Sequence, residues 1–236
     1  NAVAARQFEA ARLLAQVGKP VDRKEWGMNA QTVNASYNPL QNAFTYPAGI
    51  LQPPFFHKDF PVAMNLGAMG FVIGHELTHG FDDQGRKFDA QGVMTDWWTP
   101  ASVKGFEERT ACIDQQYSAY EIEPGVKVNG KLTLGENIAD NGGLKQAWDV
   151  LQSRQKERGE GPTVAGLTED QLFFVAAAQV WCTEAAKEAE RLQVQTDPHS
   201  PSKFRVMGPM VNHPGFAGTF SCDPGTAMNP ANKCEV

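Results

Sequence analysis

The run Phe71-Val72-Ile73-Gly74-His75-Glu76-Leu77-Thr78-His79-Gly80 constrains the fold more than any other part of the chain. Its H-E-x-x-H core has chemical meaning only as a helix, where residues four apart share a face. His75 and His79 then present two imidazoles side by side, with Glu76 about 100° round the helix. Two neutral imidazoles beside a carboxylate are what a hydrolytic zinc site asks of one helix. The bland alternative is a chance match on a buried helix, so the zinc reading needs a third ligand from elsewhere. The lead-in predicts a helix starting near Val62. Gly67, Gly70 and Gly74 fall at i, i+3 and i+7 along it, a thin ridge. Each glycine costs a helix about 1 kcal/mol relative to alanine, so a close-packed neighbour on that side is expected.

The third ligand must be His, Cys, Asp or Glu on a separate element. Thr133 to Asp140 reads as the opening of a second helix, continuing through Leu144, Trp148 and Leu151. Glu136 and Asp140 sit four apart on it, among Leu134, Ile138 and Ala139. That setting is too apolar for a solvated acidic face. One carboxylate can ligate while the other accepts a hydrogen bond from a ligating imidazole and fixes its tautomer.

The remaining pattern predicts mostly helices. Ala2–Val17 carries Phe8, Ala11, Leu14 and Val17 at helical spacing, and Gly18-Lys19-Pro20 stops it. Thr32–Tyr37 and Ala43–Tyr46 read as two short strands of an edge hairpin. Between Ile50 and Phe60, Pro53, Pro54 and Pro61 enforce an irregular apolar loop that must be buried. Thr99-Pro100 looks like the N-cap and first residue of a helix running past Phe106 and Cys112 towards Tyr120. Pro124-Gly125 and Asn129-Gly130 mark turns, the second of hairpin type. Ser153–Gly161 reads as a solvated loop. Thr168 and Gln171 form a capping box before one helix, Leu172–Glu190. Six prolines keep the last quarter irregular. The fold class is therefore α+β, predominantly helical, with a small edge sheet.

Composition limits the partners. The net charge is −6 over 236 residues, and no basic run or stripe appears, which argues against nucleic acid. No apolar run approaches the roughly 20 residues of a membrane span. Cys112, Cys182, Cys222 and Cys234 lack C-x-x-C spacing, and four cysteines leave three pairings open.

Together, His75-Glu76-Leu77-Thr78-His79 and Gly135-Glu136-Asn137-Ile138-Ala139-Asp140 resemble the neprilysin / endothelin-converting-enzyme family of zinc endopeptidases. The likeness extends to Val33-Asn34-Ala35, Pro47 to Phe56, Gly80-Phe81-Asp82-Asp83, Asp96-Trp97-Trp98, Gln179-Val180-Trp181-Cys182 and His199-Ser200-Pro201. The resemblance implies a thermolysin-like gluzincin catalytic domain over residues 1–236, holding one Zn2+ through His75, His79 and Glu136. It implies that Glu76 is the general base and acid, that Asp140 supports a ligand, and that His199 stabilises the tetrahedral intermediate. Asn34 and Ala35 would hold an extended peptide by strand addition, and Arg205 would bind its backbone carbonyl. Ile50, Phe55, Phe71, Val72 and Trp181 would form an apolar pocket, favouring cleavage before bulky hydrophobic residues. Read without the family, His199 and Arg205 are surface residues and the five apolar ones plain core.

The resemblance implies a protein roughly three times longer, with an upstream helical lid outside these 236 residues. The resemblance implies that Cys112 pairs with Cys234, that Cys182 and Cys222 pair with the lid portion, and that the setting is extracytoplasmic: secreted, periplasmic or a membrane-anchored ectodomain. The competing function is a catalytically inactive, zinc-containing peptide-binding module.

Overall fold

Two helices, α3 (Phe71–His79) and α5 (Leu134–Arg158), cross at the centre of the molecule, and the glycines of the sequence decide how closely. A Cβ on Gly74 would lie 2.8 Å from the Gly143 carbonyl oxygen, and one on Gly143 would lie 2.5 Å from the His75 backbone nitrogen. Neither position accepts a side chain, so the backbones meet directly. The computed structural model describes residues 1–20 and 22–236.

The lead-in to α3 is one continuous helical path with a change of pitch. A short helix α2 (Val62–Asn65) runs into a π-helical turn, Leu66–Gly70, and then into α3. The expected neighbour on the glycine ridge is present. Gly67 lies against the backbone of Phe173, on α6 (Glu169–Gln179), so closely that a Cβ there would overlap the carbonyl oxygen. Phe173, Phe174, Phe71, Leu144 and Leu151 form the centre of the main core. Truncating a fully buried phenylalanine such as Phe173 to alanine typically costs about 3–5 kcal/mol.

A second core gathers around α4 (Pro100–Ser118): Ile113, Tyr117, Val128, Val194 and Phe204. It includes the disulfide Cys112–Cys234, the pairing the family likeness implied. Cys182 and Cys222 are free thiols in this chain. A third, small cluster joins Ala35, Ile50 and Met69, with Phe55 and Val72 against it.

Several local signals act as read. Thr99 caps α4 by accepting from the Ser102 N–H, with Pro100 at the first helical position. Thr168 and Gln171 form the reciprocal capping box of α6. The edge hairpin exists, but shorter than expected: β1 (Ser36–Asn38) pairs antiparallel with β2 (Ala43–Thr45). Asn34 and Ala35 therefore lead into the strand and do not belong to it.

Other expectations are corrected. The first helix, α1 (Ala2–Leu14), forms but buries none of its residues, and its apolar face is open. The Ile50–Phe60 loop is buried only at Ile50, with Leu51 and Phe56 exposed. The hairpin turn lies at Pro124-Gly125, between β3 (Glu121–Glu123) and β4 (Val126–Lys127), where Gly125 takes a positive φ of 83°. Asn129 instead accepts hydrogen bonds from Leu132 and Thr133 and so leads the chain into α5.

α5 continues to Arg158, through part of the expected polar loop. Arg158 and Gln155 reach Glu169, which anchors the last turns to the start of α6. The single helix expected over Leu172–Glu190 is two, because its apolar half packs in the main core and its charged half does not. α6 stops at Gln179, and α7 (Lys187–Thr196) buries only Val194. The proline-rich end is helical: Pro201 caps α8 (Ser202–Asn212), Pro209 lies within it, and Pro214 opens α9 (Pro214–Thr219). Proline suits the first turn because its missing N–H would be unpaired there anyway. No described helix is long and apolar enough to cross a membrane.

Candidate metal centre and active-site cleft

The glycine crossing brings Glu136 and Asp140, one turn apart on α5, opposite His75 and His79. His75 Nε2 and His79 Nε2 are 3.0 Å apart. Glu136 Oε2 lies 3.3 Å from the first, and its Oε1 lies 3.6 Å from the second. Metal bonds of 2.0–2.1 Å in a tetrahedral arrangement separate neighbouring ligand atoms by about 3.3 Å. The three side chains could therefore hold one such ion.

The far sides of both imidazoles support this. His79 Nδ1 is 2.7 Å from Asp82 Oδ2. His75 Nδ1 is 2.9 Å from Asp140 Oδ1, though off the ideal hydrogen-bonding line. A carboxylate beside Nδ1 keeps the proton there and leaves the Nε2 lone pair outward. Two such lone pairs facing each other at 3.0 Å repel unless a cation, or a proton, lies between them. The donor set of two imidazoles and a carboxylate suits Zn2+.

The carboxylates divide by what they touch. Asp140 is fully buried and chelated by Arg205 of α8, whose Nε and Nη2 donate at 2.8 and 2.7 Å. Burial pushes its pKa up, but Arg205 and His75 overcome this and hold it down at about 2. Glu136 is likewise opposed by burial and held low by His75, His79 and Arg205. Burial also disfavours charge on His75, yet Asp140 and Glu136 raise it to about 9. Glu76 differs. It is 5% exposed, and burial is the main influence on it, raising its pKa against the pull of both histidines. Among the described residues it is the one carboxylate of this group with neither a hydrogen-bond nor an ion-pair partner.

All of this borders one open cleft of about 870 Å³. The cleft contacts every side chain singled out in the sequence except Asp140, which stands behind His75. Ile50, Phe55, Phe71, Val72 and Trp181 line it together, and so do Asn34, Ala35, His199 and Arg205. Asn34 is exposed, with its side-chain amide unengaged by the described protein. The His199 side chain is 44% exposed, and its Nε2 is 3.3 Å from Glu136 Oε1. Its Nδ1 is 2.7 Å from Asp197 Oδ1. The expectation that Arg205 faces a substrate needs an addition, since its strongest partner is Asp140. Nη1 makes no hydrogen bond to the described protein and remains available.

The profile of Peptidase family M13 matches residues 34–236. The chain belongs to peptidase family M13. This M13 chain is 51% identical to Neprilysin-3 of Drosophila melanogaster over 227 residues, covering 94% of this chain and 29% of that protein. It is 49% identical to human Endothelin-converting enzyme 1 over 224 residues, with the same coverage. The fold matches an inhibitor complex of the Mycobacterium tuberculosis zinc metalloprotease ZMP1 at a TM-score of 0.92 and 40% identity, covering 96% of this chain and 36% of that one. The M13 chain thus spans about 29% of the length of those curated relatives.

Two site residues, Asp82 and Asp197, had no role assigned from the sequence. Asp82 follows His79 by three positions, and Asp197 precedes His199 by two, each close enough for local contact. Both signals were present as spacing, but acidic residues near a histidine are too common in loops to stand out unaided.

Proposed function

We propose that this chain is the zinc-binding catalytic domain of an endopeptidase that hydrolyses peptides on the amino side of bulky apolar residues. The observation that carries this reading is the isolation of Glu76. A purely structural metal site would engage its carboxylates or do without them. Here three carboxylates are tied to ligands or to Arg205, while the fourth borders the open cleft beside the ligand cluster, unpaired and with a raised pKa. A carboxylate poised towards neutrality suits a general base that must return its proton as an acid.

His75, His79 and Glu136 would hold Zn2+, with Asp140 and Asp82 fixing the two imidazoles. Bound zinc supplies Lewis acidity, activating water near neutral pH and polarising a carbonyl. Glu76 takes a proton from the attacking water and passes it to the leaving amine. His199 Nε2, oriented by Asp197, and Arg205 Nη1 donate to oxygen as charge develops there, an oxyanion-hole role. Asn34 and Ala35 align an extended peptide beside the hairpin. The five apolar side chains receive the residue after the scissile bond. The upstream lid portion, joined through Cys182 and Cys222, and an extracytoplasmic setting belong to the same proposal.

The test is a set of peptides differing at one position, with products mapped by mass spectrometry. Zinc-loaded protein is expected to cut before Phe or Leu, and a chelator to abolish cutting until zinc returns. Cleavage indifferent to that residue, or undiminished by chelation, would refute the assignment.

A further inference from the structure

Arg205 is held by carboxylates and by an aromatic ring. Asp140 grips the fork through Nε and Nη2, and Nη2 also reaches Glu136 Oε2 at 3.4 Å. The guanidinium carbon also lies 4.1 Å from the centre of the Trp181 ring. A bidentate carboxylate fixes a guanidinium within its plane but leaves the tilt of that plane soft. A ring against its face removes that freedom. The indole is itself wedged, meeting Phe71 of α3 edge to face at 6.2 Å. Its backbone is held at the end of α6, where the Trp181 N–H donates to the Ala178 carbonyl. This break between α6 and α7 places the ring at the junction of the apolar wall and the charged centre.

From this we infer that Trp181 is a positioning residue: its face sets the tilt of Arg205, so that the free Nη1 addresses the substrate carbonyl. The inference rests on the peptidase reading above and adds a coupling to it. A side chain filling the apolar pocket presses on the ring that steadies the arginine, so recognition and carbonyl binding share one part. Arg205 is 9% exposed, and cation–π contacts strengthen when desolvated.

Two variants and two peptides separate this role from a wall. Trp181→Leu keeps an apolar wall and removes the aromatic face, whereas Trp181→Phe keeps a smaller face. The peptides carry Leu or Gly after the scissile bond, and the glycine peptide puts nothing in the pocket. The expected result for Trp181→Leu is a kcat about tenfold lower on both peptides, ~1.4 kcal/mol, with KM altered mainly for the leucine peptide. Trp181→Phe is expected to lose only about threefold in kcat. An unchanged kcat on the glycine peptide in Trp181→Leu, or equal losses in the two variants, overturns the inference.

A second readout needs no turnover. The Arg205 Nε–H resonance should be displaced upfield by the ring current, lose that displacement in Trp181→Leu and keep part of it in Trp181→Phe. A resonance indifferent to both substitutions also overturns the inference. If the unmodified zinc-loaded protein cuts neither peptide, the peptidase reading fails. The Arg205 resonance then decides alone whether the indole sets the guanidinium's pose.

Discussion

The helices that meet at Gly74 and Gly143 carry buried carboxylates in opposite states. On α5, Glu136 and Asp140 are surrounded by His75, His79 and Arg205 and kept charged in spite of burial. On α3, Glu76 is also largely buried, at 5% exposure, but has no partner, and its pKa rises. The contrast teaches that burial alone does not set a group's state. Engagement does, because desolvation acts on all three and only the attractive contacts differ.

Replacing Glu76 breaks the contrast most sharply. Glu76→Gln keeps the shape and removes the proton carrier, so kcat is expected to fall about 10²–10⁴-fold. Zinc content, measured by elemental analysis, should stay at one per chain. Loss of zinc in step with activity would mean that Glu76 is engaged after all. On the other helix the outcome should invert. Asp140→Ala strips a buried guanidinium of its partner, costing about 3–5 kcal/mol in denaturant unfolding. It also frees His75, and zinc affinity should drop about 10–100-fold. A stable, fully zinc-loaded Asp140→Ala protein would show that Asp140 supports neither neighbour.

The crossing itself can be tested one step further from the chemistry. Gly143→Ala sets a methyl 2.5 Å from the His75 backbone nitrogen. No flexible side chain can yield there, so the helices must part. The expected cost is about 3 kcal/mol, with weaker zinc binding as Glu136 withdraws from the histidines. A change near zero would mean that the glycines serve no close approach.

Much of this arrangement was legible in the sequence because it is local. H-E-x-x-H and Glu136/Asp140 are spacings of four on helices, and the glycine ridge announced a close neighbour without naming it. Caps were read correctly at Thr99 and Thr168, where the signal spans four residues. The misreadings lie where tertiary contact decides. α5 outruns its apolar stretch because Glu169 anchors its last turns. The expected helix after Gln171 breaks at Trp181 because its two halves pack on different surfaces. α1 shows clean periodicity and buries nothing: periodicity predicts a helix but not what covers it. Arg205 was invisible as a partner of Asp140 because 65 residues separate them.

The smallest expected effect concerns a buried ionisable group away from the cleft. His213 packs between Trp148 and Phe174, at ring distances of 5.3 and 5.1 Å, and its Nε2 has no partner among the described residues. Burial, with Lys145 and Lys233 nearby, lowers its pKa to about 4. Like Glu76 it has no ion-pair partner, so burial favours its neutral form. Unfolded, it titrates near the ordinary value of about 6.5. Between these values the unfolded chain binds more protons, so stability falls as pH drops through that window and is fully present above it. By pH 4.5 the loss is about 2 kcal/mol relative to neutral pH. Carboxylates such as Asp140 lose stability only at still lower pH, so the comparison must isolate the histidine. His213→Asn retains a residue able to cap α9 but does not titrate. Urea midpoints at pH 7 and 4.5 should therefore converge in the variant relative to the parent. Equal acid sensitivity in both would mean that His213 finds a partner for its proton, and that the apolar cluster is not the cause.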